Sequence, residues 1–210
     1  HGNEDLNTRT ASMTATGPAV VGTWSDDAGD SGPAKLIPEN PWSVVAGAGV
    51  SGAGYATGPY PSDICAALTS PVLILDASPQ LEFWSKFDIE NDWDKGVLQI
   101  STDDGASWSR VAMTYPGTST HTNDECGLGT GDFFTGFQGS YSRSTADLTA
   151  WSGQEITLRW LFSSDGSVEE NGWWIDDVAI TDVGVPGMCS SSGLIFSDGF
   201  ESGDTSVWAP

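Results

Sequence analysis

The stretch Leu81-Glu82-Phe83-Trp84-Ser85-Lys86-Phe87-Asp88-Ile89 changes character at every step. Leu81, Phe83, Phe87 and Ile89 fall on one side; Glu82, Trp84, Lys86 and Asp88 fall on the other. A period of two is the signature of a β-strand with one buried face. Ile156, Leu158, Trp160 and Phe162 alternate with Thr157 and Arg159 in the same way, and 173–181 is a third, strongly apolar run. Further strands are expected at 19–24, 42–46, 72–75, 96–101, 108–113 and 133–137. Clusters of Gly, Pro, Asn and Asp separate them, at the spacing of an antiparallel sandwich. No stretch carries an apolar stripe at helical spacing. The pattern predicts an all-β fold, a two-sheet antiparallel jelly-roll sandwich over residues 19–183. Residues 1–18 read as a polar amino-terminal segment, and 184–210 as a linker followed by a short acidic strand ending in Trp208.

Ten Trp and eight Phe in 210 residues give such a sandwich a bulky core. Only 17% of residues are charged, which separates this composition from that of a disordered acidic chain. Seven Lys and Arg against 29 Asp and Glu leave a formal charge of −22. A field of that sign repels phosphates and anionic lipid, so nucleic acid is excluded as a partner. No apolar run approaches the length of a membrane span, so no membrane insertion is expected. No signal-peptide pattern stands at the amino end, and the chain reads as a processed, extracellular product.

Three cysteines are present, none in a zinc-ligand spacing. One disulfide, Cys65–Cys126, is expected in an oxidising compartment, against the alternative of two buried thiols. Cys189 is left over: free, paired outside the chain, or intermolecular.

The acids are the candidate chemistry. Residues 87–96 (FDIENDWDKG) put four carboxylates on the end of a strand and its turn. Far away in sequence, Gly172-Trp173-Trp174-Ile175-Asp176-Asp177-Val178 sets two adjacent acids inside an apolar strand. Neighbours on a strand point to opposite faces, so one of Asp176 and Asp177 must turn inward. A buried carboxylate needs a counter-charge. With so few basic residues, a divalent cation is the better partner, and Ca²⁺ takes six to eight hard oxygens. The alternative is that these acids only cap turns. Ser101-Thr102-Asp103-Asp104-Gly105-Ala106-Ser107-Trp108 fits the Asp-box pattern S-x-D-x-G-x-x-W, a hairpin device rather than a reactive site.

LTSPVL at 68–73, LEFWSKFDIENDWDKG at 81–96, VLQISTDDGASW at 97–108 and GWWIDDVAI at 172–180 resemble, in order and spacing, the MAM-like jelly-roll modules. Such modules accompany secreted bacterial metallopeptidases of the immune inhibitor A and fungalysin types. The resemblance covers roughly residues 20–182. It implies a concanavalin-like jelly roll, no catalysis and structural calcium. The ligands it implies are Glu90 and Asp94, with Asp176 or Asp177, and with Asp26 or Asp27 from the early Trp-Ser-Asp-Asp turn. DGFESGDTSVW at 198–208 resembles a carboxyl-terminal motif of exported bacterial proteins, with Asp198 and Glu201 as further oxygen ligands.

No constellation for catalysis stands out. His1 and His121 are the only histidines. A terminal His raises the copper brace of polysaccharide monooxygenases, a minor alternative beside a polar Gly2-Asn3-Glu4-Asp5 start. His121 reads as a loop residue. Paired acids raise a glycosidase, yet no cleft-building insert is visible. The glycines of 47–58 precede no helix, so they are not a phosphate loop. Binding remains. Trp84, on the polar side of its strand, and Trp93, in the acidic turn, are candidates to stack on a sugar or anchor a protein. The expected role is a secreted calcium-binding module for adhesion, recognition of an extracellular protein or glycan, or self-association through its terminal strands. Carbohydrate binding is the second reading.

Overall fold

The computed structural model describes residues 20–185. Segment 1–18, His1, Cys189, Asp198, Glu201 and the terminal strands expected to self-associate lie outside the described residues. The strands, in chain order, are β1 (Val20–Asp26), β2 (Ile37–Pro38), β3 (Ser43–Ala46), β4 (Ala53–Ala56), β5 (Cys65–Thr69), β6 (Leu73–Leu75), β7 (Gln80–Asp88), β8 (Lys95–Ser101), β9 (Ser109–Arg110), β10 (Gly117–Ser119), β11 (Gly131–Phe133), β12 (Phe137–Asp147), β13 (Glu155–Ser163) and β14 (Gly172–Val185). Among the described residues the helical element is one 3-10 turn, Thr149–Trp151.

The fold is an antiparallel two-sheet sandwich. One layer runs β12-β7-β14, with β4, β6 and β1 also pairing β14 and with β3 hairpinned to β4. The other layer runs β9-β8-β13-β5-β2. Strand β13 joins them: Glu155 and Ile156 pair with β6, whereas 157–163 pair with β8 on one side and, from Arg159 on, with β5 on the other. The inward face of each strand makes the core, as its alternation demands. Leu81, Phe83 and Phe87 of β7 meet Leu158, Trp160 and Phe162 of β13 and Leu98 of β8. Phe83 sits edge-on to Trp160 at 5.4 Å, and Phe134 packs on Trp173 at 5.0 Å. Gly96 leaves room for the Trp173 ring, which a Cβ would approach to 2.6 Å.

Cys65 and Cys126 form a disulfide between the start of β5 and the loop joining β10 to β11. Two strand expectations change. Segment 108–113 pairs only at Ser109–Arg110. Segment 133–137 is divided: Phe133 ends β11, Phe137 begins β12, and Gly136 between them takes φ +84° to turn the chain. Strands β2, β4, β5, β10 and β12 were not foreseen. The eleven residues of β12 bury only Ala146, because this edge strand follows the hydrogen-bonding groups of β7 without contributing to the core.

Candidate functional site

Three carboxylates converge where the turn after β7 meets the loop after β13. Glu90, Asp94 and Asp165 each offer an oxygen, and these oxygens lie within 4.8 Å of one another. Asp94 is fully buried just ahead of β8. Its Oδ2 accepts from the Tyr60 hydroxyl at 2.5 Å, and its Oδ1 accepts the Asp165 backbone N–H at 2.9 Å. Glu90 Oε2 is buried with no hydrogen-bond partner. Burial, reinforced by the charges of Asp165, Asp94 and Glu170, pushes the Glu90 carboxyl up to about 7. Burial likewise raises Asp94 to about 6, against the hydrogen bond from Tyr60. Three carboxylates converging in this way offer the hard oxygens that a divalent ion takes.

Lys95, the next residue in the chain, does not neutralise Asp94. Its ammonium is fully buried and pairs with Asp124 at 3.1 Å, while donating to the carbonyls of His121 and Gly129. The other ion pairs among the described residues, His121–Asp92 and Arg143–Glu82, also leave the cluster without a basic partner.

The second acidic cluster surrounds β14. Strand pairing sets Gly172 opposite Asp88 but Asp176 opposite Trp84, four residues further along β7. That is roughly 13 Å of strand. Glu90 with Asp94 and Asp176 with Asp177 therefore stand in two clusters rather than one shell. A β-bulge between Asp176 and Ala179 exchanges the faces of β14: Trp173 and Ile175 point into the core before it, Val178 and Ile180 after it. Asp177 takes the left-handed conformation the bulge requires, φ +46°, and is exposed. Asp176 is buried, but on the outer face of the sheet, so neither acid turns toward the core as simple strand alternation required; the bulge breaks that alternation.

The β3–β4 hairpin loop, residues 47–52, provides that burial. Val50 N–H donates to Asp176 Oδ2 at 2.7 Å, and Oδ1 is buried without a partner. Gly49 is required beside it, since a Cβ there would come within 2.6 Å of Asp176 Oδ2. Burial, opposed by the Val50 N–H and reinforced by Asp177 and Asp30, pushes Asp176 up to about 6. Burial and the charges of Asp27, Asp30 and Glu82 raise Asp177 as well. Asp30 accepts Ala53 N–H at 2.9 Å and so stands at the foot of the same loop.

Asp26 and Asp27 organise the turn after β1. Asp26 Oδ1 accepts from Ala28 N–H; Oδ2 accepts from the backbone of Lys35 and Leu36 and from the Tyr55 hydroxyl. Asp27 accepts from the backbone of Gly29 and Ser31. Asp165 and Asp30 escaped the sequence reading. Each sits in a Gly/Ser-containing turn, and no local pattern links them to acids 71 and 146 residues away.

The aromatic candidates divide. Trp93 is half-buried and stacked on His121, ring centroids 3.4 Å apart, so one of its faces is already covered. Trp84 is half-exposed on the outer face of β7, diagonal to Trp174 of β14. Lys86 lies between Trp174 and Tyr141, 5.0 and 4.9 Å from the two rings. Phe137, 75% exposed, begins the neighbouring strand β12. The Asp-box turn serves its hairpin: Asp103 accepts from Ser107 N–H and from the Ser101 hydroxyl, and Trp108 packs under Arg159.

No protein-family profile matches the chain. A stretch of 102 residues, 49% of the chain, is 28% identical to Bacillopeptidase F of Bacillus subtilis (strain 168) and spans 6% of that protein's length. Among solved structures, the K2 cleaved adhesin domain of Lys-gingipain superposes with a TM-score of 0.49 at 13% identity, over 76% of this chain and 97% of that one. The K3 domain of the same protein from Porphyromonas gingivalis w83 gives 0.45 at 17%, over 76% and 98%. The CBM22-1 xylan-binding domain of Paenibacillus barcinonensis Xyn10C gives 0.45 at 10%, over 78% and 95%. Likeness at this level assigns no family, and the resemblance to MAM-like modules rests on the motifs quoted above. No helix among the described residues is long and apolar enough to cross a membrane.

Proposed function

We propose that this chain is a non-catalytic recognition module of an exported bacterial protein, with calcium held in its acidic loop clusters. The observation that carries the calcium reading is Asp176: a buried carboxylate oxygen with no donor, near Asp177 and Asp30, and in none of the ion pairs among the described residues. Glu90, Asp94 and Asp165 support a second ion on the same grounds. The ion would neutralise carboxylates that burial otherwise penalises, so it stabilises the loops that carry them. The disulfide supports an oxidising, extracellular setting.

Calorimetric titration of the EDTA-stripped chain with calcium chloride tests this directly. We expect saturable binding that Asp176→Asn and Asp94→Asn each reduce by at least tenfold. Calcium that binds neither the wild type nor the variants in the millimolar range refutes the reading.

A second reading is carbohydrate recognition on the outer face of β12-β7-β14. Half-exposed Trp84 and Trp174 on adjacent strands, with Lys86, Arg143 and Asp88 around them, support it: sugar rings stack on indoles and hydrogen-bond to such side chains. Titration against a glycan panel, followed by indole fluorescence, tests it; the response should vanish in Trp84→Ala.

A further inference from the structure

The outer aromatic face and the acidic loop are mechanically joined. Tyr141, on the bulged part of edge strand β12, donates its hydroxyl to the carbonyl of Ala48 in the β3–β4 loop. Strand order puts β7 and β14 between them, so the Tyr141 side chain crosses the outer face and roofs Lys86 beside Trp174. The loop that receives this bond is the one that covers Asp176 through Val50 N–H. It is tied further by Ala53 N–H to Asp30 and by Gly49 N–H to the Gly52 carbonyl. Burial, with the charges of Asp176 and Asp177, drives the Tyr141 hydroxyl strongly upward.

Two features of this loop bear on how it would respond to an ion. It holds Gly47 and Gly52 at φ +74° and +58°, positions that retain wide freedom once a tether is lost. It also lies over a carboxylate whose Oδ1 has no partner and whose charged neighbours, Asp177 and Asp30, share its sign. A divalent ion on Oδ1 removes that repulsion and gives the loop a fixed anchor.

We propose that cation binding at Asp176 locks the 47–52 loop and, through the Ala48–Tyr141 bond, sets Tyr141 over Lys86 beside Trp174, so that the outer recognition face takes its binding shape only in the cation-loaded protein. This rests on the calcium reading above and adds a regulatory link to it. The face that meets a ligand and the site that holds the ion are then two ends of one strap.

The test uses calcium chloride as the only probe. Near-ultraviolet circular dichroism reports the packing of the indoles, and calorimetry reports binding. In the wild type, calcium should change the aromatic spectrum saturably, with the same midpoint as the heat of binding. Trp174→Phe should remove most of that spectral change and leave calcium affinity within about twofold. Tyr141→Phe keeps the ring but loses the bond to Ala48; it should abolish the spectral change and, because coupling is reciprocal, weaken calcium binding roughly three- to tenfold. Calcium that binds with an Asp176-dependent affinity while the Tyr141→Phe spectrum still responds fully overturns the link and leaves the calcium reading standing. No binding heat at all overturns both.

Discussion

Asp26 at the end of β1 and Asp176 on β14 are buried to nearly the same degree, 3% and 1% exposed. Four donors reach Asp26: three backbone N–H groups and a tyrosine hydroxyl. The Val50 N–H donates to Asp176 Oδ2, and Oδ1 is left alone. The first carboxylate is complete within the protein and fastens a turn. The second is incomplete, and its nearest charges repel it. Burial by itself therefore does not distinguish the two acids; the unpaired oxygen does.

The largest effect should come from Asp26→Ala, which strands three backbone N–H groups and the Tyr55 hydroxyl. We expect a loss of about 3–5 kcal/mol by denaturant unfolding, equal in calcium and in EDTA. A loss that appears only in calcium would make Asp26 a ligand and dissolve the contrast.

Calcium removal comes next. At a concentration a hundred times the dissociation constant, a bound ion contributes about 3 kcal/mol, a melting shift of roughly 5–10 °C for a domain of this size. Asp176→Asn should reverse sign between conditions: less stable than wild type in calcium, more stable in EDTA, because it removes an unpaired buried charge.

A pH series on the calcium-free protein sharpens the same point. Glu90, Asp94 and Asp176 are raised to about 7, 6 and 6, above their values in an unfolded chain. The folded state therefore holds protons that the unfolded state has released between roughly pH 4 and 7. Stability should fall as pH rises through that window, and saturating calcium at pH 8 should restore it. A melting temperature that climbs from pH 5 to pH 8 in EDTA contradicts the assignment.

The smallest effect belongs to Asp177→Ser. Because Ser tolerates the left-handed backbone of this exposed position less well than Asp, the variant should lose about 1 kcal/mol in EDTA, while calcium weakens a few-fold, as calorimetry would read.

Strands β7 and β13 were legible because their alternating residues supply the core, so burial is written into the period of the sequence. Strand β12 was not: Phe137-Gln138-Gly139-Ser140-Tyr141 has no such period, and pairing with β7 decides its conformation. The same division runs through the acids. The pair Asp176 and Asp177 was legible as acids inside an apolar run, without saying which is buried; Glu90 and Asp94 were singled out through the resemblance to MAM-like modules. Asp165 and Asp30 reach them only through chain reversals after β13 and β1.

From the sequence alone follow an all-β sandwich, the identity of its core, the disulfide partners as an expectation and the acids that lack basic partners. Those are properties of residue type and spacing. The tertiary structure alone decided that a bulge turns Asp176 to the outer face, that a glycine loop buries it there, and that Tyr141 ties that loop to the far edge of the sheet. Such contacts join strands distant in the chain, and no local period can encode which distant groups a folded sheet brings together.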